Sequence, residues 1–258
     1  MSAQSPDDAI LARLVSLARR EAPELDQFGS LVAAYQYRRL HRTWRRMVPA
    51  GASVLDWGAG NGHFSYFLTR NGYDTTGFSF EPFVFERWLG APSYRFVPGS
   101  SADPVRLPFA NASFDAVASI GVLEHVRETG GEEAQSLSEI TRVLRPGGAV
   151  IAYHFPNQWS WIDLAARQVP GKHMHSWRYT RSDVRRLAAG AGLELIETQR
   201  YGVLPRNSVH RALGPLRDSR LIAETWDVAD SVLNVLLGLI AQNHMFVARK
   251  PATTPASG

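Results

Sequence analysis

The segment Val54-Leu55-Asp56-Trp57-Gly58-Ala59-Gly60-Asn61-Gly62 constrains this 258-residue chain more than any other stretch. A short apolar run holding one acid meets glycine at every second position, and helical spacing follows. Glycine permits positive φ and lets a ligand lie against bare backbone. The helix that opens after such a turn presents N–H groups with no partner inside the helix. Strand, glycine turn and helix in that order belong to an open α/β sheet, whose ligands sit outside the carboxyl ends of the strands. The spacing also discriminates among ligands. A dinucleotide turn reads G-x-G-x-x-G, which from Gly58 puts its third glycine at His63, yet the third glycine here is Gly62. The plainer alternative is a tight turn that binds nothing.

The rest of the chain repeats the alternation. Strands are expected at 53–57, 74–78, 94–97, 113–120, 149–154, 193–201 and 244–248, and helices at 61–70, 82–89, 132–144 and 181–191. Strands alternating with helices imply a mainly parallel sheet with helices on both faces. Two helices precede the sheet, one starting after Ser5-Pro6-Asp7-Asp8 and one from about Ser30 to Met47, before Pro49 and Gly51. A last helix is expected over 218–240, where Val232, Leu233, Leu236, Leu237 and Ile240 are read as packing residues. Residues 156–180 break the rhythm and are read as an inserted cover, and 251–258 as a flexible Pro/Ser/Thr tail.

Composition narrows the function. With no cysteine, disulfides, thiolate metal sites and a cysteine nucleophile are excluded. The formal charge is +4, and only Lys172 and Lys250 are lysines, so the basic residues are almost all arginine. Arg38, Arg39, Arg42, Arg45 and Arg46 form a run with no acid from Tyr35 to Met47. It is either a solvated helix face or a basic surface for an anionic partner. No basic leader followed by an apolar stretch opens the chain, and no segment reaches the ~20 apolar residues of a membrane span. A cytoplasmic protein is expected, with no transmembrane segment; the sequence says nothing about oligomeric state.

Four motifs in order, over about residues 50–155, resemble those of class I S-adenosylmethionine-dependent methyltransferases, closest to the small-molecule type. They are the D-x-G-x-G-x-G turn from Asp56, Asp103 to Phe109 followed by Ser113-Phe114-Asp115-Ala116-Val117, Val122-Leu123-Glu124-His125-Val126, and Glu139-Ile140 to Gly148. The resemblance implies a Rossmann-like α/β fold with a mainly parallel seven-stranded sheet. Its parts would be an N-terminal helical extension over 1–49 and a methyltransferase domain over 50–250 that includes the cover.

It further implies S-adenosylmethionine as cofactor. Gly58, Ala59, Gly60 and Gly62 would hold its methionine part, with Asp56 organising the amino group and Ile120 and Gly121 beside it. Asp103 would accept from the adenine amine; its plainer reading is a turn-forming acid before proline. Ser79, followed by Phe80, stands where the family usually has an acid gripping the ribose hydroxyls, a departure that Glu81 would compensate only from two residues away.

A hydroxyl acceptor needs a base near neutral pH, for which histidine is suited. His125 and His154 follow the fourth and fifth strands and are the catalytic candidates. Trp159, His173 and His175 in the cover are the substrate-binding candidates. The pair His173-x-His175 has no third ligand at suitable spacing, so no metal is expected.

The expected function is methyl transfer to a small-molecule acceptor, most readily a hydroxyl oxygen. The alternatives are an RNA methyltransferase using the Arg-rich helix, or a non-catalytic relative that binds a partner. Nucleic acid is not the expected partner, because the segment after the fourth strand lacks the Asn/Asp-Pro-Pro-aromatic stretch of base amino methylation.

Overall fold

A computed structural model describes residues 5–80, 92–169, 175–206 and 213–252. The helix expected over 82–89 lies outside them. The chain divides into two compact units. One comprises Met1–Arg46, Trp159–Met174 and Arg200–Asn243, the other Met47–Gln158, His175–Gln199 and His244–Gly258.

The second unit is built on the sheet. Its strands are β1 (Ser53–Trp57), β2 (Asp74–Ser79), β3 (Tyr94–Pro98), β4 (Phe114–Ile120), β5 (Leu144–Pro156), β6 (Glu194–Tyr201) and β7 (Asn243–Arg249), in the order β3-β2-β1-β4-β5-β7-β6. β3, β2, β1, β4 and β5 pair in parallel, with Leu55 opposite Thr76 on one side and Val117 on the other. The chain leaves β1 toward β3 and returns to lay β4 on the opposite side of β1. The carboxyl ends of β1 and β4 are therefore the switch point at which connections diverge and a ligand crevice opens.

Both faces of β1 and β4 are buried, so these strands read as near-continuous apolar runs instead of alternating ones. On one face Leu55, Trp57, Val117 and Val150 pack with Leu137 and Ile140 of a helix over Glu133–Val143, and with Val184 and Ala188 of a helix over Arg181–Gly190. Each Leu, Ile or Val among them, fully buried, contributes roughly 1.5–3 kcal/mol. The helix His63–Arg70, directly after the glycine turn, buries Phe64, Phe67 and Leu68.

The fifth strand is longer than its apolar core. It starts at Leu144, and the pairing with β4 shifts register between Phe114 and Ala116 to accommodate Arg145-Pro146-Gly147-Gly148. A Cβ on Gly148 would sit 2.8 Å from the Arg145 carbonyl oxygen, closer than real Cβ contacts allow, and 3.0 Å from the Asp115 carbonyl oxygen across the pair. Glycine there is what lets the two backbones approach.

In the first unit, α1 (Pro6–Arg20) is capped by the Ser5 hydroxyl, which accepts from the Asp8 N–H. The single helix expected from Ser30 to Met47 is two: α2 (Leu31–Ala34) and α3 (Tyr37–Met47). The Gln36 side-chain amide donates to the Ala33 carbonyl at 2.9 Å, occupying the acceptor that a continuous helix would give to Tyr37. With α4 as His63–Arg70, α5 as Glu133–Val143, a short α6 (Trp161–Ala166) and α7 as Arg181–Gly190, the last helix is α8 (Arg220–Leu237). Its buried residues are Ala223, Asp227 and Asp230, whereas Val232, Leu236 and Leu237 are exposed. The expectation that these three are packing residues is thereby corrected.

The arginine run is largely engaged by carboxylates within the same unit. Arg38 makes two hydrogen bonds to Asp8, at 2.6 and 2.7 Å, and its guanidinium lies 3.8 Å from the centre of the Tyr35 ring. Arg45 donates to Asp7 at 2.6 Å. Burial raises the Asp8 carboxyl, but Arg38 outweighs it and holds the group below its usual value.

Candidate functional site

The glycine turn takes the conformation that its spacing implies. Gly58, Gly60 and Gly62 have φ of +74°, +48° and +70°. The N–H groups of Gly58 and Ala59 both donate to the Phe78 carbonyl, at 2.8 and 2.9 Å, tying the turn to β2. A Cβ at Gly58 would lie 2.4 Å from Val122, so here glycine serves packing against the end of β4. A Cβ at Gly60 would meet only the Gly58 carbonyl, at 3.6 Å. Gly60 is the open position of the turn, and a bulky side chain there projects into space that a ligand can use.

Asp56 is buried beneath the turn. Its carboxylate accepts the Ser65 hydroxyl at 2.6 Å and also the Ser65 N–H, capping the first turn of α4. Burial pushes its pKa up to about 6, against the opposing pull of Ser65. Ser65 is the partner that sequence reading missed, although it lies nine residues on, in the first turn of the helix that the glycines open.

Ser79 ends β2, where its carbonyl accepts from Gly99 N–H at 2.8 Å. Phe80 packs edge-on to Phe78, with ring centres 6.2 Å apart. Glu81 lies outside the described residues. Asp103 is exposed, and its carboxylate accepts the Arg106 N–H at 3.2 Å, the local turn geometry of its plainer reading. The Leu107-Pro108-Phe109 stretch beside it is clamped from α5. Glu139 accepts the Leu107 N–H, while Arg142 donates to the carbonyls of Leu107 and Phe109.

At the end of β4, Ile120 leads into Gly121, whose φ is +73° and whose N–H donates to the Tyr153 carbonyl at 2.9 Å. A 3₁₀ turn over Leu123–Thr129 follows. Glu124 is 3% exposed, and its carboxylate lies 3.9 Å from where a Gly121 Cβ would be. Burial, with the Glu128 charge adding to it, pushes its pKa up to about 8.

Four histidines gather at this carboxyl edge. The His125 and His175 rings are 5.3 Å apart. His154 holds φ at +68°, a left-handed conformation uncommon for a side-chain-bearing residue, and its ring lies 4.5 Å from that of Tyr153. Burial, then the nearby His63 and His175, lower its pKa to about 3. His63, the first residue of α4, is lowered to about 4 by burial. Sequence reading named the other three and missed His63, though its place just after the glycine turn was the available signal. These two imidazoles are neutral at pH 7.

His125 has a carboxylate partner: its Nδ1 meets Glu128 at 3.0 Å. A carboxylate on Nδ1 fixes the tautomer in which Nε2 accepts a proton. Of the other expected site residues, Trp159 belongs to the first unit and is exposed, and His173 lies outside the described residues. Among the described residues no group of acids and histidines is arranged to hold a metal.

Residues 55–152 match the family described as "Methyltransferase domain". The demethylmenaquinone methyltransferase of Beutenbergia cavernae is 37% identical over 45% of this chain and 48% of its own. The tRNA U34 carboxymethyltransferase of Trichlorobacter lovleyi is 35% identical over 42% and 35%, respectively. A "probable S-adenosylmethionine-dependent methyltransferase" of Mycolicibacterium smegmatis is 28% identical over 75% and 70%. The chain thus spans about half or less of the length of the first two. Among solved structures, the Burkholderia thailandensis 1,6-didemethyltoxoflavin-N1-methyltransferase superposes over 97% of this chain and 92% of its own, at a TM-score of 0.54 and 19% identity, a likeness of fold.

Proposed function

Because the chain belongs to the class I S-adenosylmethionine-dependent methyltransferases, we propose that it transfers a methyl group to a small-molecule acceptor, at a hydroxyl oxygen. The observation that carries the oxygen reading is the His125–Glu128 pair at the carboxyl edge of β4, beside the strand end that meets the glycine turn.

The residues present fit the cofactor. The turn offers an open backbone cradle at Gly60, for the methionine part. Asp56 backs the turn, Asp103 is the candidate for the adenine amine, and Ile120 and Gly121 border the methionine side. Ser79 offers the ribose a neutral hydroxyl. When bound, the cofactor supplies a methyl group already activated on a sulfonium.

The chain's own task is to bind, align and move one proton. Aligning the two reactants lowers the barrier by up to about 7–11 kcal/mol. His125 Nε2 takes the acceptor's proton while Glu128 holds the ring. His154, with its pKa lowered to about 3, is a poor base and serves instead as a neutral hydrogen-bonding group. Glu124, raised to about 8, is largely protonated at pH 7 and is available as a donor.

The name of the Beutenbergia relative puts a quinone-like ring among the acceptors worth assaying, and that of the Trichlorobacter relative keeps tRNA among them. Against RNA stand Arg38 and Arg45, whose guanidinium groups are already engaged by Asp8 and Asp7. The test is calorimetry with S-adenosylhomocysteine, followed by a screen of phenols, quinols and sugars for a one-methyl mass increment. No binding at millimolar levels refutes the cofactor assignment. Methyl transfer confined to a nitrogen, a carbon or an RNA refutes the oxygen reading.

A further inference from the structure

The outward face of α8 carries an uncharged stripe with a regular spacing. Leu221, Thr225, Val228, Val232, Val235 and Leu239 follow one another at intervals of four, three, four, three and four residues, and all six are exposed. The last lies in the 3₁₀ turn Gly238–Ile240 that continues the helix. Exposure reaches 85% at Val235 and 71% at Leu221, and Leu236 beside them is 74% exposed. Scattered apolar residues on a surface are ordinary, but a continuous stripe is not. Steps that alternate between four and three residues repeat every seven, the spacing at which a helix keeps one seam facing another helix.

The acids of α8 are all used elsewhere. Asp227 accepts from Arg206 at 2.9 Å, Asp230 accepts the Leu204 N–H at 2.8 Å, and Glu224 pairs with Arg220 at 2.7 Å. Hence the stripe carries no charge of its own.

We propose that this stripe is a self-association surface, and that two copies of the chain pair through α8. Three considerations select a second copy. Full overlap of two stripes opposes apolar to apolar, and Glu224, already paired with Arg220 one turn back, meets no like charge in either helix direction. The exposed Val and Leu side chains present on the order of 700 Å², close to the ~800 Å² that each partner gives to an interface of standard size. A bilayer fits less well, since an interfacial helix carries Lys and Arg on its polar face, where α8 has Glu224, Asp227 and Asp230.

The test is sedimentation equilibrium of the full chain from about 1 to 100 μM, a range that resolves micromolar pairing. The expected result is a dimer for the wild type. For Val228→Glu/Val235→Glu the expectation is a monomer with association weakened at least ~100-fold, which by this arithmetic is about 2.7 kcal/mol. Both positions are exposed, so its thermal melt should match the wild type. Because the chain has no cysteine, Val228→Cys and Val232→Cys supply single thiols on an otherwise native surface. Oxidised separately and as a mixture, they should yield a disulfide-linked dimer in at least one of the three samples. A wild type that stays monomeric overturns the proposal, including one that floats with phosphatidylglycerol vesicles, which would assign the stripe to lipid. A double variant that remains dimeric overturns it as well, as does the absence of any cross-link.

Discussion

The Glu139 carboxylate accepts the Leu107 N–H at 3.0 Å, joining two segments that are 32 residues apart in the chain. Arg142, paired with that same carboxylate, donates to the Leu107 carbonyl and to Asn111. The helix before β5 therefore holds the loop that carries Asp103, and the two motifs form one mechanical piece.

Arg142→Ala should accordingly act at a distance. Removing a guanidinium from several carbonyls costs roughly 1.5–3 kcal/mol in urea denaturation, the range for hydrogen bonds to a charged group. Affinity for S-adenosylhomocysteine should fall with it, because the 103–109 loop loosens. A folded variant with an unchanged dissociation constant would remove that loop from the cofactor site.

Gly60→Arg should abolish cofactor binding while the chain still folds, at a cost of about 1–2 kcal/mol for a side chain at φ +48°. The position is open, so the added side chain fills the cradle instead of the core. Gly58→Ala should do the opposite and destabilise the protein, since its methyl group collides with Val122. Comparing the two by calorimetry and thermal melting separates ligand space from packing.

Glu124→Gln should change how stability depends on pH. A carboxyl whose folded pKa is about 8 binds its proton more tightly in the native than in the unfolded state. Between the unfolded value near 4 and the folded value, the native state therefore loses stability as pH rises, by about 3–5 kcal/mol in total. The glutamine variant lacks that slope. It should be relatively more stable than the wild type at pH 8 than at pH 5, measured as the difference between urea midpoints. Equal differences at the two values would mean that Glu124 is not held protonated.

His125→Gln should lower kcat by about 10²–10⁴, the span of general-base catalysis, with little change in cofactor affinity. Glu128→Gln should lower it less and shift the pH profile, since the ring stays but its tautomer is no longer fixed. His154→Asn, which tolerates the left-handed backbone at that position, should retain most of the activity. If His154 proves the costlier loss, the base has been misassigned.

What was legible in the sequence was local. Val54 to Gly62 announces its turn because glycine takes those φ values without strain, and β1 and β4 announce themselves as apolar runs. The break between α2 and α3 was hidden, since it depends on one glutamine amide reaching a carbonyl. Long-range partners were equally hidden. Nothing in the spacing of Asp56 and Ser65, or of Glu139 and Leu107, says that they touch. His63 escaped notice because its neighbour His154 comes from a distant segment. The outward stripe of α8 was not read from the sequence, which took Val232, Leu236 and Leu237 as packing residues; its direction depends on which side Asp227 and Asp230 are drawn to, and both accept from Arg206.

The contact between Gly58 and Val122 has one more consequence, for how such a chain can change over time. A side chain at position 58 meets two obstacles, the Val122 methyl groups and the left-handed backbone at φ +74°, and shrinking position 122 removes only the first. Position 122 can therefore shrink on its own, whereas position 58, 64 residues away, is held to glycine. Variant libraries should find position 58 intolerant both alone and in combination with changes at 122, because the backbone strain outlasts the removal of the clash.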